Sequence, residues 1–251
     1  MITLSDSLKK RILKHEEEIN NYQFIPIYAD LNSDYFEVTT GYFTDMMLSI
    51  GIDPAEYIGR LPEFYMCGSQ ATEYTIPNRI TDIPQWAFAR CEKLEEISIP
   101  ETVAYIWSYA FFDCKSLKNI EFPDRLLVLS NNALEGCTSL ERVNIPRDLA
   151  SLGEQAFKDC TGLKSLALEN CFLQALPTQV CQGCTNLKTV SLPQTIKSIE
   201  YQAFEECESL EEIRFAGTTA QWKEIHKDKL WISNNSTQIR CVDGTLMSNQ
   251  G

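Results

Sequence analysis

The stretch that decides the fold covers residues 99–123 and reads IPETVAYIWSYAFFDCKSLKNIEFP. Its pattern, I-P-x-x-V-x-x-I-x-x-x-A-F-x-x-C-x-x-L-x-x-I-x-F-P, recurs along much of the chain. The register is marked by cysteines separated by 23, 23, 23, 24 and 23 residues, namely Cys91, Cys114, Cys137, Cys160, Cys184 and Cys207. Such a fixed period indicates one structural unit that is repeated along the chain.

Apolar residues keep the same register as these cysteines. An Ala-Phe or Ala-Leu pair precedes five of them, and a leucine follows each by three positions. A period of about 20 to 29 residues with L-x-x-I-x-I is typical of a leucine-rich-repeat solenoid, where each unit adds one strand to a parallel sheet. The predicted strands centre on Ile97, Ile120, Val143, Leu166, Val190 and Ile213, with a further strand at Tyr74 from a degenerate first unit.

One unit alone buries too little apolar surface to offset the entropy of ordering it, so stability depends on contacts between stacked units and on caps at both ends. We therefore predict an α/β fold. It is a right-handed leucine-rich-repeat solenoid with one short parallel sheet of about seven strands, a small α-helical N-terminal cap and a helix-containing C-terminal cap. Repeat five is irregular, which predicts a bulge or bend near Leu173 to Pro177.

The domain boundaries follow from where the repeat pattern starts and stops. Residues 1–60 contain two amphipathic helical patterns and are predicted to form a helical N-terminal cap domain. Residues 61–246 are predicted to form the solenoid, of which 216–246 is the C-terminal cap. In this cap, Thr219 is expected to cap a short helix whose Trp222 and Ile225 face inward. Residues 247–251 are expected to be a disordered tail.

The I-P…A-F-x-x-C-x-x-L-x-x-I-x-I-P form resembles the BspA-like subfamily of leucine-rich repeats, which occurs in bacterial surface proteins, some protists and bacteriophages. The resemblance covers roughly residues 62–246. It implies a bacterial or phage protein that serves as an interaction scaffold rather than an enzyme, with a protein or peptide partner. It does not identify that partner, because the family's partners are diverse.

The charge balance argues against several partner classes. The chain has 35 acidic and 22 basic residues and a formal net charge of −13, which repels phosphate backbones and anionic lipid. Neither nucleic acid binding nor membrane insertion is expected, since no long apolar segment is present. The N-terminus lacks signal-peptide features. A cytoplasmic, monomeric protein is favoured, and the alternative is a secreted or cell-surface protein whose export signal has been removed.

Catalytic and metal-binding motifs were sought and none was found, so we predict no enzyme activity, no metal and no cofactor. The two histidines, His15 and His226, are too few for the common catalytic constellations. Cys181 and Cys184 have C-x-x-C spacing, but zinc needs four ligands and no second pair lies at a suitable distance. We interpret the repeat cysteines as buried, reduced core residues.

Two surfaces are candidate binding sites. The first is the concave face, where the outward residues of the strands form a shallow neutral trough between charged ends. Its candidate residues are Asn119, Glu121, Arg142, Asn144, Ser165, Thr189, Ser191 and Arg214. The second is an edge of aromatic side chains outside the consensus core positions, namely Trp86, Tyr105, Trp107 and Tyr109. This edge is either an exposed binding patch or the surface onto which the N-terminal helices fold.

The sequence therefore favours a non-catalytic protein-protein interaction module, with a secreted or cell-surface adhesin that recognises host protein or glycan as the alternative. Alternating charges at the first position of the strands, from Glu95 and Lys118 onward, are expected to pair between neighbouring repeats.

Overall fold

The computed structural model describes residues 72–248, except Pro77, Arg79, Pro84, Trp86 and Asn235. The predicted helical cap at residues 1–60 and the predicted first part of the solenoid at 61–71 lie outside the described residues.

In the described residues the chain forms short strands and one α-helix. The strands are β1 (Glu73–Thr75), β2 (Asp82–Ile83), β3 (Glu96–Ser98), β4 (Tyr105–Ile106), β5 (Asn119–Glu121), β6 (Val128–Leu129), β7 (Arg142–Asn144), β8 (Ser151–Leu152), β9 (Ser165–Ala167), β10 (Ala175–Leu176), β11 (Thr189–Leu192), β12 (Ser198–Ile199), β13 (Glu212–Phe215), β14 (His226–Lys227), β15 (Gln238–Cys241) and β16 (Gly244–Met247). The helix is α1 (Thr219–Glu224).

The odd-numbered strands β1 to β15 stack in chain order and form the first ladder. Parallel pairing joins β1 to β3, β5 to β7, and β9 through β11 and β13 to β15. Single backbone bonds connect these groups, from the Lys118 N–H to the Glu95 oxygen at 3.2 Å and from the Lys164 N–H to the Glu141 oxygen at 3.4 Å. The seven repeat strands contain the predicted central residues, so the parallel β-solenoid is confirmed.

The even-numbered strands β2 to β14 form a second ladder that the sequence analysis did not predict. Each strand has only two residues, and the pairing is again parallel from one repeat to the next. This ladder is divided between β8 and β10. The division lies beside the irregular segment of repeat five, where the sequence predicted a bulge or bend.

The connections between the ladders are turns rather than helices. In the second to the sixth repeat two positions adopt a left-handed backbone, one before the Ala-Phe pair and one before the cysteine, as at Tyr109 (φ 60°) and Asp113 (φ 56°). The second position is glycine in two repeats, Gly136 and Gly183. A Cβ atom there would collide with the carboxylates of Asp113 and Asp159 of the preceding repeat. The repeats thus contain no α-helix in the described residues, because these turns reverse the chain instead.

The core consists of the predicted apolar rows. The Ala-Phe pair, the cysteine and the leucine of the regular repeats are all buried. Aromatic rings stack between repeats, as Phe88 does on Phe111 with centroids 5.3 Å apart and planes 5° from parallel. Repeat five places Val180 and Cys181 at the Ala-Phe position, where both are completely buried.

The core thiols also link consecutive repeats through hydrogen bonds. The Sγ–H of Cys114 donates to the carbonyl oxygen of Phe88 at 3.0 Å, and that of Cys137 donates to the carbonyl of Phe111 at 3.2 Å. The same contact recurs for Cys160, Cys184 and Cys207 at 3.0 to 3.1 Å. Each of these carbonyls also accepts the backbone N–H of the cysteine of its own repeat. The thiol therefore uses the second lone pair of an oxygen that would otherwise make one bond.

A second inter-repeat chain is made of side-chain amides at the first left-handed position. Asn132 Nδ2 donates to Gln155 Oε1 at 2.8 Å, Gln155 Nε2 to Gln179 Oε1 at 2.6 Å, and Gln179 Nε2 to Gln202 Oε1 at 2.7 Å. These half-buried amides satisfy one another along the solenoid axis, which stabilises the stacking of the turns.

The C-terminal segment covers the last repeat. Helix α1 begins after Thr218, whose side chain accepts the Gln221 N–H in a capping box, so the predicted cap residue Thr219 is wrong by one position. Trp222 and Ile225 are buried as predicted, and the Trp222 ring packs against Phe215 and Trp231. β15 adds a parallel strand to the first ladder, and β16 pairs antiparallel with it. The predicted disordered tail is therefore wrong for Met247, which belongs to β16.

Candidate binding surfaces

The predicted concave face corresponds to the outward side of the first ladder, which we name the sheet face. Because side chains alternate along a strand, each central apolar residue turns inward and its two neighbours turn outward. Two rows of outward residues therefore run across the strands. The first row is Glu73, Glu96, Asn119, Arg142, Ser165, Thr189, Glu212 and Gln238, and the second is Thr75, Ser98, Glu121, Asn144, Ala167, Ser191, Arg214 and Arg240.

The structure places all eight predicted candidates of this face in these two rows. Asn119, Glu121, Arg142, Asn144, Ser165 and Arg214 are exposed, whereas Thr189 and Ser191 are half-buried. The Asn144 side chain makes two hydrogen bonds to the backbone of the preceding repeat. It accepts the Phe122 N–H at 2.6 Å and donates to the Phe122 carbonyl at 3.0 Å. Asn144 of β7 therefore links that strand to the backbone of Phe122, the residue after β5. Fewer of its hydrogen-bonding groups remain available to a ligand.

Ion pairs form along the edge of the sheet face where the sequence predicted alternating charges. Lys118 Nζ lies 2.5 Å from Glu95 Oε2, and Lys164 Nζ lies 2.6 Å from Glu141 Oε2. The hydrogen bond from Lys164 lowers the pKa of the Glu141 carboxyl, and the bond to Glu95 raises the pKa of Lys118. Both pairs are solvent-exposed, so each adds little to stability and mainly fixes the register of the strands.

Glu212 differs from its predicted outward, exposed position. It is 9% exposed, because the Arg214 and Arg240 side chains lie over it. Arg214 Nε donates to Glu212 Oε2 at 2.6 Å, and Arg240 Nε forms an ion pair with Glu212 Oε1 at 2.7 Å. The sequence analysis placed Arg214 on this face but missed Gln238 and Arg240. One sequence signal indicated that this segment forms a strand, namely the alternation of polar and apolar residues in Gln238-Ile239-Arg240-Cys241.

A shallow concavity of about 780 Å³ lies at this end of the sheet face. Its lining contains three basic residues (Lys188, Arg214 and Arg240), three acidic residues (Glu208, Glu211 and Glu212) and several polar residues. It adjoins a trough of small side chains formed by Ser165, Ala167, Thr189 and Ser191 on β9 and β11. The middle of the sheet face is thus shallow and neutral, and its C-terminal end presents the exposed side chains of Arg214 and Arg240 among acidic residues.

The aromatic edge lies on the second ladder, away from the two outward rows. The rings of Tyr105 and Trp107 stack with centroids 5.7 Å apart and planes 7° from parallel, and Trp107 is 43% exposed. Tyr109 is half-buried and meets Phe112 edge-on at 5.7 Å. Trp86 lies outside the described residues, as do the N-terminal residues that were predicted to cover this edge.

The cysteine and histidine side chains of the described residues do not assemble into a metal site. No three His, Cys, Asp or Glu side chains in the described ranges are grouped as metal ligands. Cys181 and Cys184 are both completely buried, and the Cys184 thiol donates to the Phe157 carbonyl. Burial raises the pKa of the Cys160 and Cys207 thiols above the ordinary value. His226 is exposed on β14.

None of the helices in the described part of the chain could span a membrane, since α1 has six residues and a span needs about 20.

Three solved structures are similar to this chain. The leucine rich repeat protein of T. pallidum is 30% identical, with a TM-score of 0.52 over 55% of this chain and 64% of that protein. A leucine-rich repeat protein from Bacteroides ovatus is 21% identical (TM-score 0.46; 67% of this chain, 59% of that one). A leucine rich cell surface protein from Faecalibacterium prausnitzii is 19% identical (TM-score 0.38; 66% and 65%). The chain thus spans less than two thirds of each of these proteins.

No functionally curated protein is significantly similar to the chain. The family model of the BspA type leucine rich repeat region, with six copies, matches residues 61–175 and 105–228. These matches cover the repeat register that the cysteines define and the two ladders that the repeats build. The chain therefore belongs to the BspA type leucine rich repeat family.

Proposed function

We propose that this protein is a non-catalytic interaction module that binds a protein partner through the sheet face. The observation that carries the proposal is the trough of Ser165, Ala167, Thr189 and Ser191. Small side chains at the middle of a rigid ladder leave the backbone approachable, and the neighbouring charged residues supply specificity. Leucine-rich repeat folds generally mediate protein interactions.

The distribution of reactive groups supports a non-catalytic role. The nine described cysteines are free thiols and are buried, so they cannot reach a substrate at the surface. His226 is the one histidine among the described residues, and it is exposed on a two-residue strand. Chemistry by a cysteine nucleophile or a histidine base requires that group to lie in a pocket, and the concavity on the sheet face contains neither a cysteine nor a histidine.

A second candidate surface is the edge formed by Tyr105 and Trp107. A stacked pair with a Trp that is 43% exposed is the kind of aromatic anchor that protein interfaces favour. This edge and the sheet face lie on different ladders, so substitutions can separate their roles.

The free thiols favour a reducing compartment and thus a cytoplasmic bacterial or phage protein. A secreted or cell-surface adhesin that recognises host protein or glycan is the alternative. The sequence of the complete gene separates the two, because an upstream export signal or an anchoring region supports the adhesin.

The test is affinity capture from the source cells with wild type and three variants. Ala167→Arg fills the trough, and Ala175→Arg makes the same change at an exposed alanine of the second ladder. Trp107→Ala removes the aromatic anchor. We expect a partner that wild type and Ala175→Arg both capture and that Ala167→Arg loses. Loss with Trp107→Ala alone moves the site to the aromatic edge, and equal capture by all variants contradicts both surfaces.

A further inference from the structure

Two arginines lie side by side at the C-terminal end of the sheet face. Arg214 of β13 and Arg240 of β15 are register partners in a parallel pair. Neighbouring strands are about 4.8 Å apart, and like charges placed directly opposite each other destabilise a sheet. The juxtaposition is stabilised by Glu212, which accepts the Nε–H of Arg214 at 2.6 Å and forms an ion pair with Arg240 Nε at 2.7 Å. We name these three residues the arginine triad.

The triad leaves most of its hydrogen-bonding capacity available. A guanidinium carries five N–H donors, and the contact of each arginine with Glu212 is made through Nε. The side chains of Arg214 and Arg240 are 57% and 60% exposed, whereas that of Glu212 is 12% exposed. Two positive charges over one buried negative charge leave the triad with a net positive charge. Since Glu212 already holds both arginines, less side-chain entropy is lost when a ligand binds.

Charge on the sheet face is divided between its two halves. From β1 to β5 the outward and edge residues carry four acids and one base, namely Glu73, Glu95, Glu96, Glu121 and Lys118. From β7 to β15 they carry five bases and three acids, namely Arg142, Lys164, Lys188, Arg214, Arg240, Glu141, Glu211 and Glu212. The neutral trough lies within the cationic half.

The ligand that fits this arrangement is locally anionic and limited in extent. Planar guanidinium groups bind carboxylates with paired, parallel hydrogen bonds. A nucleic acid strand would carry its phosphates on to the acidic half of the face and into the field of a chain with net charge −13. A peptide segment with a few Asp or Glu residues can place its carboxylates on the triad and its backbone in the trough.

We propose that the arginine triad is a carboxylate-binding site that docks an acidic segment of a protein partner at the C-terminal end of the sheet face. This inference rests on the proposed function, because it specifies the chemistry of the partner for that same surface.

The probe is a fluorescein-labelled hexaglutamate peptide with an amidated C-terminus, followed by fluorescence anisotropy at about 50 mM salt, where screening is weak. The test variant is Arg214→Gln/Arg240→Gln. The matched control is Arg125→Gln/Lys223→Gln, which removes the same charge from exposed residues off the sheet face. We expect the triad variant to weaken binding at least tenfold and the control to weaken it less than twofold. Equal weakening, or no binding below about 1 mM, overturns the proposal.

A third variant tests whether binding needs the guanidinium groups themselves or only their positive charge. The double glutamine variant leaves Glu212 buried without a cation, so its melting temperature is compared with that of wild type, and if it is lower the test rests on the lysine variant. Arg214→Lys/Arg240→Lys keeps both charges but lacks the guanidinium fork, and we expect it to weaken binding about threefold or more. Unchanged binding with the lysine variant contradicts carboxylate recognition by the fork.

Three further outcomes separate this proposal from its alternatives. A labelled 12-nucleotide single-stranded DNA that binds more tightly than hexaglutamate overturns the acidic peptide as ligand. If Ala167→Arg abolishes partner capture while hexaglutamate does not bind, the sheet face remains the interaction surface and only the acidic chemistry of the partner is wrong. If hexaglutamate binds as proposed while Ala167→Arg leaves capture intact, the triad is a carboxylate site and the proposed function fails.

Discussion

The thiol of Cys137 lies 3.2 Å from the carbonyl oxygen of Phe111, which belongs to the preceding repeat. The same oxygen accepts the backbone N–H of Cys114 at 3.2 Å. The cysteine at this position therefore fills core volume and also donates a hydrogen bond across the boundary between two repeats. This dual role explains physically why a small, weakly donating side chain recurs at this place.

Cys137→Ala removes both contributions. We expect the free energy of unfolding to fall by about 1 to 3 kcal/mol, because the substitution leaves a small cavity and takes one donor from the Phe111 carbonyl. Urea denaturation followed by circular dichroism measures the change. A loss below about 0.5 kcal/mol would show that the thiol contact contributes nothing to stacking.

Phe111→Ala tests the aromatic row of the core. Phe111 is completely buried and stacks on Phe88, so we expect a loss of about 3 to 5 kcal/mol. Phe172→Ala makes the same change at a ring that is 60% exposed, and we expect a loss below about 1 kcal/mol there. Similar losses at the two positions would mean that the inward and outward faces of the repeat are wrongly assigned.

Gln179 combines a left-handed backbone (φ 55°) with two bonds in the amide chain. Ala and Gly both remove the bonds, but only glycine adopts this backbone without strain. We expect Gln179→Gly to be more stable than Gln179→Ala by about 1 kcal/mol in urea denaturation. At Gln174, which is exposed and lacks a positive φ, the order is expected to reverse. The same order at both positions would refute strain at Gln179.

Buried thiols also make stability depend on pH. Burial raises the pKa of Cys160 well above its ordinary value and that of Cys171 to about 11, whereas an unfolded thiol has a pKa of about 8.5. Above about pH 8.5 the unfolded chain loses thiol protons that the folded chain retains, so stability falls as pH rises.

We expect each such thiol to contribute up to about 1.4 kcal/mol of lost stability per pH unit in this range. Urea denaturation between pH 7 and 10 under reducing conditions measures the slope for wild type. Cys160→Ala removes one of these groups, and its slope is expected to be shallower above pH 8.5. An identical slope in the two proteins would contradict the assignment of Cys160 as a protonated core thiol.

The period of the cysteines was sufficient to predict the seven repeat strands of the first ladder, from β1 to β13. Alternation around Ile120 or Leu166 places one residue inward and two outward, and a 23-residue spacing aligns these residues between repeats. The second ladder was missed because strands such as Tyr105–Ile106 have two residues, which is too short for a period of two to be recognised.

The arginine triad was missed for a different reason. Arg240 lies beyond the last cysteine of the register, in a segment interpreted only as a closure of the solenoid, so its alignment with Arg214 depends on the fold of the C-terminal segment. The burial of Glu212 in turn depends on both arginines. The alternation in Gln238–Cys241 indicates a strand, but it does not indicate which strand it pairs with.

The most direct test of the account is the alkylation of the folded protein with iodoacetamide at pH 8, followed by mass spectrometry. The Cys67→Ser variant is used, because Cys67 lies outside the described residues. We predict that the six repeat cysteines remain unmodified until denaturant is added, since all of them are buried between repeats. They are Cys91, Cys114, Cys137, Cys160, Cys184 and Cys207. Rapid modification of any of them in the folded state would contradict the stacked solenoid.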